Sequence, residues 1–292
     1  MNMPLRSTSC LKRFWKALTG CWCQSVHLTP LKILQTCSRS TSSGRLVTGL
    51  KVQRQLSNPI YEGLCSLVLC FTAKLFQLIE SPKMSSKIIY PLTKLPFPLP
   101  WIVDIVFPVL DIMRLAVRHP QVNESLCGEA EGVQLCNLLL SLMRPEGRPA
   151  NQMLALRTLC NCFSGRHGRA LLMAQRETVL SRAADLTSVS NKNIHVALAT
   201  LVLNYAACLH SQPDLEAKAQ CLSVASRALE TVQDKEAVFR LLVALGTTVA
   251  SDQSAKDLAR SLGVNSQISK YSTVSDSSKV AECCQLVLKE MQ

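Results

Sequence analysis

The sequence predicts an all-α protein, an armadillo/HEAT-like α-solenoid with a poorly structured N-terminal segment. Three observations carry that prediction. First, four apolar helical stretches recur at a step of 42–43 residues: VLDIMRLAVRHP (109–120), QMLALRTLCNCF (152–163), HVALATLVLNYA (195–206) and AVFRLLVALGTT (237–248). Second, a polar column runs through them. Arg114 lies beneath Arg157, Arg118 beneath Asn161, and Asn204 and Gly246 continue the second register, with Arg240 earlier on the last stretch. Third, no alternating run of Val, Ile, Thr and aromatics follows residue 102, and aromatics make up only 5% of the chain. A repeat of roughly 40–47 residues belongs to arrays in which one helical unit cannot bury its apolar face alone and stacks on its neighbours.

Charge divides the chain. Of the formal +12, residues 1–100 hold +11, from 13 Lys/Arg against Glu62 and Glu80, and residues 101–292 hold +1. Basicity is thus a property of the first hundred residues and does not mark the array as a nucleic-acid binder. A membrane- or nucleic-acid-associated role acting through that basic segment is the alternative reading of the whole chain. A salt titration separates the two, because phosphate binding weakens steeply with salt. Fourteen Cys would suggest a disulfide framework in a short secreted chain, but no secretory signal is visible, and those of the second half, such as Cys136, Cys160, Cys208 and Cys221, sit inside apolar helical patterns. Free Cys packs as a small hydrophobe, so a reducing compartment, cytoplasm and nucleus, is expected.

Taken in order, residues 1–62 form a basic, Ser- and Cys-rich segment with no acid before Glu62. Leu11, Phe14, Trp15 and Leu18 at helical spacing among Lys12, Arg13 and Lys16 also fit a mitochondrial transit peptide, the alternative to an irregular segment. Residues 63–101 comprise an apolar run and a linker. The run, 63–79, is 17 residues long with Lys74 inside, which is short of a membrane span. Pro82, Pro91, Pro96, Pro98 and Pro100 then rule out a helix. No transmembrane segment is expected.

Residues 102–292 form the array. A helix over 104–119 has Pro108 near its start and stops before Pro120. Helices follow over 132–143 and about 151–163, separated by the turn RPEGRP, and the second breaks at SGRHG. Residues 169–186 read as one outer helix and 191–209 as the next inner one. The helix over 214–232 places Leu215, Lys218, Leu222, Ala225, Leu229 and Val232 on one side. Asp234 is placed to cap the helix bearing Arg240, and the pattern at 256–262 ends at Gly263, a C-cap residue. A last helix, 279–291, docks one face through Val280, Cys283, Cys284, Val287, Leu288 and Met291.

In such an array the inner helices line up into a groove, which makes Arg114, Arg157, Asn161, Asn204 and Arg240 candidate peptide-binding residues. Arg157 and Asn161 are four apart and share a helix face. A guanidinium forks onto a carboxylate, and an amide can bind peptide backbone. Asn191 and Lys192 open an inner helix, where they can cap it or receive an anion. Each candidate has a structural alternative: a salt-bridged or solvated arginine, a helix-packing amide, a plain cap. Cys160-x-Cys162, Cys283–Cys284 and Cys21-x-Cys23 lack the paired spacing of zinc sites, and no nucleophile elbow or phosphate loop occurs. No metal, cofactor or catalytic chemistry is expected.

Long segments of the array also resemble a known family. DIVFPVLDIMRLAVRHPQVNE, PANQMLALRTLCNCF, SNKNIHVALATLVLNY, EAVFRLLVALGT and SLGVNSQISKYS closely resemble the PUL domain of the phospholipase A-2-activating protein family, from about Asp104 onward. The resemblance implies an armadillo-like fold. It also implies a non-enzymatic docking module for the acidic C-terminal tail of the AAA ATPase known as Cdc48 or valosin-containing protein, in ubiquitin-dependent protein degradation. Full-length members carry a WD-repeat propeller and a ubiquitin-binding PFU domain ahead of the PUL domain. Residues 1–100 show neither pattern. The chain therefore reads as a truncated or alternatively begun form, of which direct ubiquitin binding is not expected.

Overall fold

Short polar residues set where the helices of the second half begin. Asn191, Asp214, Asp234 and Asp252 each take the N-cap position, their side-chain oxygens accepting backbone N–H groups of the first turn at 2.9–3.3 Å. Pro120 and Pro149 open two further helices, where a missing N–H costs nothing. The structure, a computed structural model, describes residues 102–272 and 278–292. The expectations for residues 1–62 and 63–101 lie outside the described residues.

Twelve α-helices occur among the described residues: α1 (Ile102–Ala116), α2 (Pro120–Cys127), α3 (Glu129–Leu142), α4 (Pro149–Cys162), α5 (Arg166–Ala174), α6 (Arg176–Asp185), α7 (Lys192–Leu209), α8 (Leu215–Thr231), α9 (Lys235–Val249), α10 (Gln253–Ser261), α11 (Val264–Ser269) and α12 (Ser278–Glu290). No strand occurs among these residues. Helices α1, α4, α7, α9 and α12 pack side by side in that order, forming a ladder of five rungs, and the other helices cover it. Leu154, Leu156, Leu198, Leu201, Leu241 and Leu245 from the middle rungs are at most 1% exposed. α7 alone among the described helices has the length and apolarity of a membrane span, and most of its apolar residues are buried inside the array.

Several expectations need correction. The single outer helix over 169–186 is two helices, parted at Gln175, whose ψ of 15° leaves the helical range. Nothing in RALLMAQRETVLSRAADL signals that break. Helices α2 and α11 were not anticipated; α2 is short, begins at Pro120 and follows α1 after a three-residue turn. Pro108 lies inside α1 rather than near its start, since the helix already includes Ile102. On α8, Leu215 is 43% exposed while Lys218 is 2% exposed, so the stripe buries its charged member and not its first leucine. The last helix is more than a lid. It is the fifth rung, and Gly246 of α9 lets it approach so closely that an added Cβ would stand 3.0 Å from Val287 Cγ2.

One buried amide holds three helices together. Asn123 on α2 is 1% exposed and donates through Nδ2 to the carbonyls of Val117 (3.1 Å) and Cys162 (3.0 Å), just past α1 and at the end of α4. Its Oδ1 accepts the Gly168 N–H of α5 at 2.9 Å. The chain comes so near that a Cβ on Gly165 would fall 2.1 Å from Asn123 Oδ1, and one on Gly168 would fall 2.0 Å from the Cys162 carbonyl oxygen. That explains the SGRHG break: both glycines are needed for passage, not for a left-handed turn.

The burial of Lys218 is compensated. Its ammonium meets Asp252 Oδ2 at 2.5 Å, tying α8 to the N-cap of α10. The Lys218 ammonium and then the Ala255 N–H hold the Asp252 carboxyl below the usual carboxylate range.

Two outcomes are expected. Asn123→Ala leaves two carbonyls and one N–H buried without this partner and should cost about 2–4 kcal/mol in urea unfolding. Asp252→Asn keeps the capping oxygen but strands the Lys218 ammonium, costing about 3 kcal/mol at pH 7. A depressed carboxyl contributes stability that is complete above its unfolded value, about 3.9, and is lost as pH falls through the lower folded value. Below pH ~4, then, the gap in Tm between wild type and Asp252→Asn should narrow.

Candidate functional site

The ladder fixes which polar side chains become neighbours. Each rung turns its apolar residues inward, and what remains on the open face recurs at the repeat step. Arg114 of α1, Arg157 of α4, Thr200 of α7 and Arg240 of α9 occupy successive rungs of this face. Thr200 stands 43 residues after Arg157, as Arg157 does after Arg114. The register that aligns the arginines points equally to this hydroxyl, which is not among the candidate residues given above.

Two of the arginines are partly neutralised on their own helices. Arg114 Nε donates to Asp111 Oδ1 at 2.5 Å, three residues back. Arg240 donates through Nε and Nη2 to Glu236 Oε1 at 3.0 and 2.9 Å, four residues back. Its Nη1 also donates to Thr200 Oγ1 on α7, so the guanidinium leans along the ladder toward α4. The Thr200 hydroxyl passes its own hydrogen to the Val196 carbonyl at 2.7 Å. Those carboxylates, Asp111 and Glu236, were not among the residues expected to matter.

Arg157 differs. It is half-buried and has no hydrogen bond or ion pair to another described residue. Burial pushes its guanidinium below the usual arginine range, and the nearby Arg114, with a smaller push from Arg240, adds to this, while Asp111 works the other way. The physical content is a cation that has lost part of its water and gained like-charged neighbours on both sides. A carboxylate placed over Arg157 would relieve both penalties.

The asparagines serve the ladder itself. Asn161 Nδ2 donates to the Arg114 carbonyl at 2.5 Å, and Asn204 Nδ2 donates to the Cys160 carbonyl at 3.1 Å. Each amide thus reaches back one rung, and what it could offer a peptide is its oxygen, an acceptor for a backbone N–H. Asn191 caps α7, its Oδ1 accepting from the N–H groups of Asn193 and Ile194. Lys192 is 74% exposed at its side chain and pairs with Asp234 at 3.1 Å, joining the starts of α7 and α9. Burial opposes the Asp234 carboxylate, but the Ala237 N–H and the Lys192 ammonium outweigh it and hold the carboxyl below its usual range. These two residues lie at the ladder's N-terminal edge; Thr200 is ~12 Å further along α7.

Buried cysteines of the ladder and of the helices that cover it are packing groups. Burial pushes the thiols of Cys160 and Cys221 up to about 12 and that of Cys136 to about 11. They are therefore neutral at physiological pH and poor nucleophiles. No group of three or more metal-binding side chains gathers among the described residues.

With this geometry in hand, comparison with known proteins is informative. The PUL domain family model matches residues 76–286. The chain is 56% identical over 188 residues to phospholipase A-2-activating protein of Xenopus laevis, covering 64% of this chain and 24% of that protein. It is 27% identical over 179 residues to the ubiquitin fusion degradation protein 3 homolog of Caenorhabditis elegans, covering 57% of this chain and 21% of that one. The chain therefore spans about a quarter or less of the length of these curated relatives. Among solved structures, a designed armadillo repeat protein in complex with the peptide (KR)4 superposes with a TM-score of 0.59 at 17% identity, over 82% of this chain and 97% of that one. That likeness shows the armadillo fold.

If the two asparagines tie rung to rung, Asn161→Ala and Asn204→Ala should each lower stability by about 1 kcal/mol in urea unfolding, with helicity unchanged. Equal stability of both variants and wild type would show that these bonds do not hold the ladder.

Proposed function

The chain belongs to the PUL-domain family, and on that premise we propose that it is a non-enzymatic adaptor whose ladder face binds an acidic peptide. The peptide is the C-terminal tail of the AAA ATPase known as Cdc48 or valosin-containing protein. The observation that carries this reading is Arg157, a half-buried guanidinium without a described partner, flanked by Arg114 and Arg240. Such a site favours carboxylates at several adjacent positions, as an acidic tail presents them, over a single anion. The name of the Caenorhabditis elegans relative, which places that protein in ubiquitin fusion degradation, supports a role in ubiquitin-dependent protein degradation and ubiquitin homeostasis. Cytoplasm and nucleus are the proposed locations, consistent with the free cysteines of the described residues.

Titration of a peptide from the ATPase C-terminus against wild type and three charge reversals tests the reading. Arg157→Glu and Arg240→Glu place like charges against the ligand in a partly desolvated face, and each should cost about 2–5 kcal/mol. That corresponds to roughly 30- to 3000-fold in affinity. Arg176 starts α6, off the ladder, and pairs with Asp214 at 3.5 Å. Arg176→Glu should change binding by less than about 1 kcal/mol. Circular dichroism checks that all three fold. Wild-type binding by both ladder variants would place the peptide elsewhere.

A further inference from the structure

The ladder face carries anionic groups as well as cationic ones, and they are not scattered. Asp111 sits three residues before Arg114 and Glu236 four residues before Arg240, each in contact with its arginine. Both carboxylates are accessible, with side chains 40% and 56% exposed. Arg157, between the two flanking cations, has no such companion among the described residues. Had a carboxylate stood three or four residues before Arg157, all three cations would be alike; those positions are Leu154 and Met153. The face therefore has one open cation in the middle and a self-neutralised cation on each side.

We infer that Asp111 and Glu236 are built-in competitors, which an incoming peptide must displace from Arg114 and Arg240 to engage the whole face. This rests on the acidic-peptide reading above and adds a specificity rule to it. A ligand with one carboxylate meets Arg157 alone, while its neighbours stay occupied. A ligand with several carboxylates exchanges the internal pairs for its own, and only then gains from all three guanidinium groups. The exchange is feasible because each pair joins neighbouring turns of one helix and its carboxylate is open to solvent, although the two arginines are only 25% and 24% exposed. The leaning of Arg240 onto Thr200 keeps its guanidinium over the site when Glu236 leaves, since that hydrogen bond does not involve the carboxylate.

The test uses the full chain and an acetylated, amidated hexaglutamate peptide, titrated at ~0.15 M salt, where exposed charges more than ~8 Å apart are largely screened. The variants are Asp111→Asn, Glu236→Gln and Arg157→Glu. Asp185→Asn serves as control, because it makes the same change in net charge at an exposed ion pair, with Arg182 at 3.7 Å, on α6 away from the ladder. Removing either competitor should tighten binding about two- to fivefold relative to the control. Arg157→Glu should abolish binding. If Arg157→Glu loses the peptide while Asp111→Asn and Glu236→Gln do no better than Asp185→Asn, the competitor role is overturned and the acidic-peptide site stands. If wild type and every variant fail to bind hexaglutamate, both are overturned.

Discussion

The structure depends on polar side chains that bond across one step of the repeat. Asn123 reaches the Cys162 carbonyl 39 residues away and the Gly168 N–H 45 away. Asn161 reaches 47 residues back, Asn204 reaches 44 back, and Thr231 reaches the Thr187 carbonyl 44 back. Lys270 and Tyr271 both donate to the Leu229 carbonyl, 41 and 42 residues earlier. Hydrophobic burial holds the helices together but is indifferent to sliding. These directional bonds to carbonyls are not, because a rung displaced by one turn would leave them unmade.

The same constraint assembles the candidate site. Packed helices lie about 8–10 Å apart, close to the screening length of physiological salt. Arginines repeated at the step of the array are therefore brought within reach of one another whether or not that is favourable to the fold. Charge of one sign on successive rungs is destabilising in itself. The molecule relieves it at Arg114 and Arg240 with local carboxylates and leaves Arg157 without an ion pair among the described residues, offset only by the field of Asp111.

The ladder and its cationic column were legible in the sequence because both are periodic. Four rungs follow from the apolar pattern, and Arg114, Arg157 and Arg240 do fall together. What escaped was aperiodic or rotational. Whether Asn161 turns its amide to the open face or to the preceding rung depends on a rotation smaller than one helical turn, which residue spacing does not record. The break at Gln175 has no proline or glycine to announce it. Lys218 looked like one member of an amphipathic stripe, and its partner Asp252 lies 34 residues away on an element of different period. The fifth rung, by contrast, is periodic too: Val280 stands 43 residues after Ala237, so the last helix continues the series as well as docking one face.

Gly246 has a consequence for how the array comes apart. Its missing side chain lets α12 settle on α9, and among the described residues its other neighbours are α11 and α10, the latter through Lys256–Glu290 at 3.1 Å and Arg260 Nε to the Met291 carbonyl at 2.8 Å. Since ladder contacts join adjacent repeats only, the free energy of opening is graded along the chain, and an end rung can leave while the rest persists. The protein is thus closer to a zip fastener than to a single cooperative block. Arg157, three rungs in from α12, stays clasped while that end opens.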